Sequence, residues 1–393
     1  MSPTKSNGPQ EPEVVRIWQN FLQFGRQLDD CEGCPVEIIY PGRFNDGQGG
    51  DFRDALVNSG DTCKSGDIEI HTRSSLWEAH GHHRNPVYNR VILHVALEQD
   101  RPGTALLQNG QTIPTIILKN NLNRYPHKAI PLSSCQAASL RPDLLKKQLI
   151  RAGEQRFFER AWRYQGELNQ VEPGQSLYQG MLEALGYTKN KQPFLKLARR
   201  VPLCIVEDMA NAKGTEEEII VRIQDVLCEN AATLDWELYK VRPDNSPLRR
   251  IMALSHLLYR YRTSGWLTGL MSIIHRTPVK SAHKHLEPAL MVGKGYPALL
   301  GRSKAAEIII NAMLPFAWSW GQKNSKLSFM KKVIGVYRNY PRSESNSIER
   351  HMLRQLSLDR CPVNSACCQQ GLIHIYKTLC TQGKCQECIF SYA

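Results

Sequence analysis

Gly66-Asp67-Ile68-Glu69-Ile70-His71 is the stretch whose reading decides the fold class. Side chains alternate faces along a strand, so Asp67, Glu69 and His71 share one face while Ile68 and Ile70 take the other. Upstream, Gly49-Gly50-Asp51 leads into a second strand from Phe52 to Asn58, and Ser59-Gly60-Asp61 makes the turn between the two. Val36 to Tyr40 reads as a strand closed by Pro41-Gly42. Before it, Val14, Ile17, Phe21, Leu22 and Phe24 form the apolar stripe of a helix expected over Val14 to Leu28. Downstream come a short helix or ordered loop between Ser74 and His83, a buried strand over Val91 to Leu97, and a further strand candidate over Thr112 to Leu118. Helix, three strands, connection, strand is the element order of an α/β sandwich.

The hairpin also carries chemistry. Asp51 ends one strand, and after 17 intervening residues Glu69 faces inward from its neighbour. Two carboxylates so placed suit a hydrated divalent cation, and the residue two positions on can position an attacking water. The pattern resembles the core of the PD-(D/E)xK nucleases, which implies a restriction-endonuclease-like sandwich. The resemblance makes Asp51 and Glu69 the ligands of magnesium or manganese, with the Ile70 carbonyl as a third ligand. His71 then orients or deprotonates the water. Gly50 stands where that family has proline, a change expected to be harmless because the residue shapes only the turn. His71 stands in place of lysine and is half-neutral near pH 6.5.

Five of the 12 histidines fall between positions 71 and 94. The imidazoles of His80-Gly81-His82-His83 either complete a zinc or manganese site with Glu69 or Asp67, contact phosphate, or belong to a polar loop. His94 lies opposite the Val91, Leu93, Val95, Leu97 face, so in a central strand it points into the same cleft as Glu69; otherwise it is a hydrogen-bonded core residue. His82 and His94 are the candidates to assist His71.

Charge divides the 393 residues unevenly. Residues 1–140 carry 13 basic and 15 acidic side chains, residues 141–340 carry 31 and 18, and the remainder 6 and 4. Beyond about Arg141 the apolar spacing turns helical. Segments Leu144–Arg163, Gln175–Leu185, Phe194–Arg200, Glu216–Cys228, Leu248–Tyr261, Gly265–His275, Lys304–Gln322 and Ile348–Leu356 are separated by Pro and Gly breaks. The expected organisation is an α/β domain over 1–140, a basic helical domain over 141–356 and a cysteine module over 357–393. The basic domain is expected to hold nucleic acid, unless its charge is only a solvated surface. The strongest apolar run, Ala305 to Trp320, is broken by Glu307, Asn311 and Pro315, so no membrane span is expected. With no signal-peptide profile at its start, the chain reads as cytoplasmic.

Six of the 12 cysteines lie in the last 33 residues. Cys380, Cys385 and Cys388 form C-x4-C-x2-C, and Cys361 supplies a fourth thiolate for zinc or an iron–sulfur cluster. Cys367, Cys368, Cys31 and Cys34 are alternatives for that fourth place. Some RecB-like and CRISPR-adaptation nucleases join such a module to the same core.

Gly42, Asn45, Gly50-Asp51-Phe52, the Asp67–His71 strand, Trp77, His80-Gly81-His82, Tyr88-Asn89, Leu177-Tyr178, Gly186-Tyr187, Asn190-Lys191, Gly301-Arg302, Asn311, Gln370-Gly371 and the terminal cysteines together look like a bacterial family catalogued as a domain of unknown function, family 2851. That resemblance implies no reaction, so the expectation of a metal-dependent nuclease rests on the hairpin. The alternatives are a non-catalytic nucleic-acid-binding protein on the same scaffold and a zinc-dependent hydrolase of a small substrate.

Overall fold

The computed structural model describes residues 9–22, 26–60, 62–122, 135, 141–187, 189–238, 241, 243–293, 298–356, 358 and 363–390. It clusters into two compact units, both discontinuous in sequence. The first holds Met1–Leu145, Asn346–Arg360 and Leu372–Ala393, and the second holds Lys146–Ser345 and Cys361–Gly371.

The first unit is built on one mixed sheet. Its elements are helix α1 (Glu11–Phe21) and strands β1 (Gln27–Asp29), β2 (Pro35–Tyr40), β3 (Arg43–Phe44), β4 (Phe52–Ser59) and β5 (Thr62–Arg73). Then follow helix α2 (Leu76–Ala79), strands β6 (Val91–Glu98), β7 (Ala105–Leu106), β8 (Thr112–Ile113) and β9 (Thr115–Ile117), and helix α3 (Leu118–Leu122). The strand order is β1-β2-β4-β5-β6-β9, with β3 also on β4. β2, β4 and β5 run as an antiparallel meander, whereas β6 lies parallel to β5 and β9 parallel to β6. A parallel pair needs a crossover. Here α2 and two 3₁₀ turns, His82–Arg84 and Pro86–Arg90, supply it. Val14, Trp18 and Phe21 of α1 share a core with Ile38, Ile68, Ile70, Leu93 and Val95 of the sheet. Position β5 is central, and Gly66 to His71 are buried on both faces.

Three boundaries differ from expectation. The first helix stops at Phe21, because Gln27–Asp29 is taken up as an edge strand paired with β2. β5 begins at Thr62, since its partner β4 runs on to Ser59 and the two pair to the turn. The Thr112–Leu118 strand is divided at Pro114, which has no N–H for the ladder, and at Leu118 it gives way to a helix.

In the second unit the helices are α4 (Pro142–Glu167, within this unit from Lys146), α5 (Pro173–Leu185), α6 (Lys191–Arg200), α7 (Leu203–Ala210), α8 (Glu216–Ala231), α9 (Pro247–Arg260), α10 (Trp266–Arg276), α11 (His283–Leu290), α12 (Arg302–Ile308), α13 (Leu314–Lys323) and α14 (Leu327–Asn339). Helices α7, α11 and α14 were not anticipated. α11 carries Pro288, and α7 is only eight residues long, so each gave a weak periodic signal. Phe157, Tyr178, Phe194, Trp266, Phe316 and Tyr337 belong to one continuous core. A π turn, Ile309–Met313, joins α12 to α13. Pro315 cannot bond back to the Asn311 carbonyl, which accounts for the wider turn there.

Helix α15 (Ser347–Gln355) and the part of α16 (Ala366–Thr378) from Leu372 belong to the sheet unit, as do the last cysteines. Tyr40 Oη lies 2.6 Å from His351 Nε2, and Tyr376 Oη donates to Asp54 Oδ2 at 2.7 Å. A Cβ on Gly383 would sit 2.8 Å from Ile39 and 2.9 Å from Leu56, so this turn is pressed directly onto β2 and β4. Close packing of this kind draws residues 372–390 into the sheet unit. No helix among the described residues is long and apolar enough to cross a membrane.

Candidate metal centre on the central strands

The polar face of β5 is covered rather than open to solvent. Trp77 of α2 packs edge-on against His82 and tilts against His94, with ring centroids 5.2 and 5.3 Å away. Tyr88 lies 3.8 Å from His82, centroid to centroid. Gly81 takes φ +74°, a left-handed turn that a side chain would strain, and it returns His82 to the strand.

Under this cover Asp51, Glu69, His71, His82 and His94 come together. Asp51 Oδ2 accepts from the Ile70 N–H at 2.9 Å, and Glu69 Oε2 accepts from the Asp51 N–H at 3.1 Å. Each carboxylate is thus tied to the backbone of the other's strand. Glu69 Oε1 is 3.3 Å from His82 Nε2 and 3.8 Å from His71 Nε2, and these two nitrogens are 3.3 Å apart. Ligand atoms about 2.0–2.2 Å from one tetrahedral ion stand about 3.3–3.6 Å from each other. The three atoms therefore have nearly the spacing of a metal triad. His80 belongs to the same cluster, since one ring nitrogen each of His71, His80 and His82 lie within 4.8 Å of one another. His71 Nδ1 faces His94 Nε2 at 3.0 Å, and His94 Nδ1 faces Thr115 Oγ1 at 3.2 Å. This chain fixes the ring of His71 from behind, as partners of metal-bound histidines do.

Electrostatics follow from burial. Desolvation, with the charge of Glu69, pushes the Asp51 carboxyl up to about 7. Burial pushes Glu69 up to about 8 against the bond from the Asp51 N–H, with Glu11 and Asp67 adding to the rise. Burial and the neighbouring imidazoles push His71 down to about 2, and burial with His82 takes His94 to about 3. His82 is lowered by burial, while Asp51 and Glu11 pull the other way. Burial thus favours the neutral form of His71, His82 and His94, which is the form that binds metal.

Asp67 stands apart from this cluster. It is buried, its Oδ1 accepts weakly from the Asp54 N–H at 3.4 Å, and Arg90 lies 3.6 Å away. Gly50 proves to be more than a turn residue, because a Cβ there would meet Asp67 Cβ at 2.8 Å and the Ile68 carbonyl oxygen at 3.0 Å. The close approach of the two strands needs glycine at this position.

Spacing did not point to Glu11, whose carboxylate lies 4.0 Å from His80 and acts on Asp51, Glu69 and His82. Nor did it point to Thr115. Trp77 and Tyr88 were visible only as part of the family resemblance.

Cys380 and Cys388 are buried and Cys385 is exposed. Burial pushes the Cys380 thiol up to about 12, with Cys135, Cys388 and Cys385 adding to the rise. Cys388 is raised by burial and by the same neighbours, Cys135 and Cys385. Cys135 thus acts electrostatically on both buried thiols. Cys361 lies outside the described residues. Cys367 bonds to the Ile150 carbonyl in the second unit, and Cys31 to that of Gly103.

The chain belongs to the family described as "Protein of unknown function (DUF2851)", which matches over residues 11–234. Among curated proteins and among solved structures, nothing matches it.

Proposed function

We propose that the protein is a metal-dependent phosphodiesterase acting on nucleic acid. The observation that carries this reading is the convergence of Glu69 Oε1 and His71 Nε2 of β5 with His82 Nε2 of the crossover turn, beside Asp51 at the entry to β4, in a helix–meander–crossover–strand unit. That element order, with an acid opening the second meander strand and E-x-H on the third, supports a nuclease-like core. Imidazole donors beside carboxylates favour manganese or zinc over magnesium. Glu69, His71 and His82 would hold the ion, with Asp51 beside them. When bound, it supplies Lewis-acid polarisation of the phosphoryl oxygen and acidifies a water.

The protein's own groups divide the remaining work. His71, held far below the usual imidazole range, is a neutral nitrogen donor and too weak a base to deprotonate water. His94 and Thr115 orient it. His80 is exposed at the rim beside Glu11 and offers the ion a further nitrogen donor. The basic helical unit supplies positive surface for a polyanion. Cys380, Cys385, Cys388 and Cys135 form a structural site for zinc or an iron–sulfur cluster.

Hydrolysis of single- and double-stranded DNA and RNA with manganese, zinc or magnesium tests the reading. Cutting that depends on metal and falls at least a hundredfold in Asp51→Asn and Glu69→Gln is the expected outcome. Salt-sensitive binding without cutting, unchanged in both variants, would leave a non-catalytic binder instead. The triad spacing also favours a second reading, a zinc-dependent hydrolase of a small substrate. It is distinguished by zinc-supported hydrolysis of simple esters with no cutting of polynucleotide.

A further inference from the structure

Several residues of the family resemblance lie far from the metal centre in sequence and gather in the helical unit. Gly186, Tyr187, Asn190, Lys191, Asn311 and Gln370 sit around one group of cations there. Gly186 closes helix α5, and a Cβ on it would lie 2.2 Å from the Asn190 carbonyl oxygen, so the turn closes only over glycine. The next residue, Tyr187, takes φ +51°, a strained conformation for an aromatic residue. Asn190 holds the turn by donating to the Glu237 carbonyl at 3.0 Å and accepting its N–H at 2.8 Å.

The strain serves a placement. Lys304 Nζ lies 3.1 Å from the centre of the Tyr187 ring, and Arg250 donates to the Tyr187 hydroxyl at 3.2 Å. Both cations are buried, at 3% and 4% exposure. Arg250 also donates to the Leu299 carbonyl at 2.8 Å and to Asn245 Oδ1 at 2.7 Å. On α4, Arg156 and Arg160 are one turn apart and share one acceptor, Gln370 Oε1, at 2.8 and 3.2 Å. Arg160 donates in addition to Asn311, within the π turn. Lys191, an exposed residue, opens α6 beside the Tyr187 turn: its backbone nitrogen lies 2.6 Å from where a Cβ on Gly186 would sit. Its pKa is lowered by burial of the ammonium and by Arg160 and Arg156, and it in turn depresses Lys304.

Neutral groups fix most of these cations: a phenol, three side-chain amides and a carbonyl. Among the described residues, the carboxylates acting on them include Glu307, bonded to Lys304 at 3.0 Å, Glu159 near Arg156, and Glu183, which already bridges Arg163 at 2.8 Å. Five partly sequestered cations, so weakly compensated, are costly unless an anion joins them. Guanidinium forks beside ammonium groups match the oxygens of phosphate.

We propose that Arg156, Arg160, Lys191, Arg250 and Lys304 form a binding site for a phosphate group, entered past Lys191, with Tyr187, Asn311 and Gln370 holding the cations in place. The site is independent of the metal centre.

Calorimetric titration of the full chain with inorganic pyrophosphate, against chloride at matched ionic strength, tests it. Saturable binding is expected, weakened at least tenfold in Lys191→Ala and in Lys304→Met. Lys196→Ala, an exposed lysine on the same helix α6, should bind as the parent does. Lys191→Ala removes an exposed side chain, so far-UV circular dichroism should be unchanged, and it keeps the test decisive if Lys304→Met does not fold. Glu69→Gln should bind pyrophosphate normally, which separates this site from the hydrolytic one. Oligonucleotides with a 5′-phosphate or a 5′-hydroxyl identify the source. Preference for the former assigns a terminal phosphate, and equal binding lost in Lys191→Ala assigns a backbone phosphate. No saturable pyrophosphate binding, or equal weakening in Lys191→Ala and Lys196→Ala, would overturn the proposal.

Discussion

Glu69 is the residue on which the metal centre turns, because its two oxygens face different partners. Oε2 accepts the Asp51 N–H, and Oε1 faces His71 and His82. Its raised pKa fixes the sign of a pH effect in metal-free protein. Near pH 6.5 the unfolded histidines are half protonated while buried His71, His82 and His94 are held towards the neutral form, so they oppose the carboxylates there and contribute little slope above about pH 7.5. Asp51 and Glu69, pushed up to about 7 and 8, retain protons when folded and lose them when unfolded. The folded state then binds more protons, and stability falls as pH rises. Urea unfolding in a chelator should give a lower midpoint at about pH 8.5 than at about pH 7.5, where the histidines no longer titrate in either state. Glu69→Gln should flatten that slope, and manganese should restore the midpoint of the parent. Glu69, His71 and His94 were legible from strand alternation and Asp51 from the hairpin pattern, although Asp67, expected on the same face, pairs with the Asp54 N–H and Arg90 instead. Glu11 and Thr115 were not, since neither the helix start nor the β9 edge carries a periodic sign of what it will meet.

At the scale of elements, the β4–β5 hairpin and its parallel neighbour β6 place the site. Two glycines permit their close packing. On Gly66 a Cβ would lie 2.4 Å from the Arg90 carbonyl oxygen, and on Gly50 it would lie 2.8 Å from Asp67 Cβ. Overpacking of this kind costs about 1–3 kcal/mol, more where backbone must move. Gly66→Ala should lower stability by at least that much in denaturant titration. Gly50→Ala should also reduce metal affinity, because it separates Asp51 from Glu69. The order helix, meander, crossover, strand could be read from period-two alternation and turn residues. The edges could not: β1 exists only through pairing with β2, and Pro114 splits a continuous apolar run. Gly50 looked replaceable because its constraint is a contact with β5, which local sequence does not reveal.

For the whole molecule, charge and cysteine placement were partly legible. The positive excess marked the helical region correctly, while its concentration around Tyr187 needed the strained turn and the π turn to be seen. The spacing of the final cysteines gave the expectation of a shared site. Their place in the sheet unit and the nearness of Cys135 depend on long-range packing of Gly383 and Tyr376. Elemental analysis of chain purified without chelator should find zinc or iron that falls in Cys388→Ser and in Cys135→Ser, and remains in Glu69→Gln. Loss of the same metal in Glu69→Gln would merge the two centres and contradict this division. The most direct test of the central claim is anomalous diffraction at the manganese edge from crystals soaked in the ion. A peak bounded by Glu69 Oε1, His71 Nε2 and His82 Nε2, lost in Glu69→Gln, is the predicted result. Crystals saturated with manganese that show no peak there would contradict it.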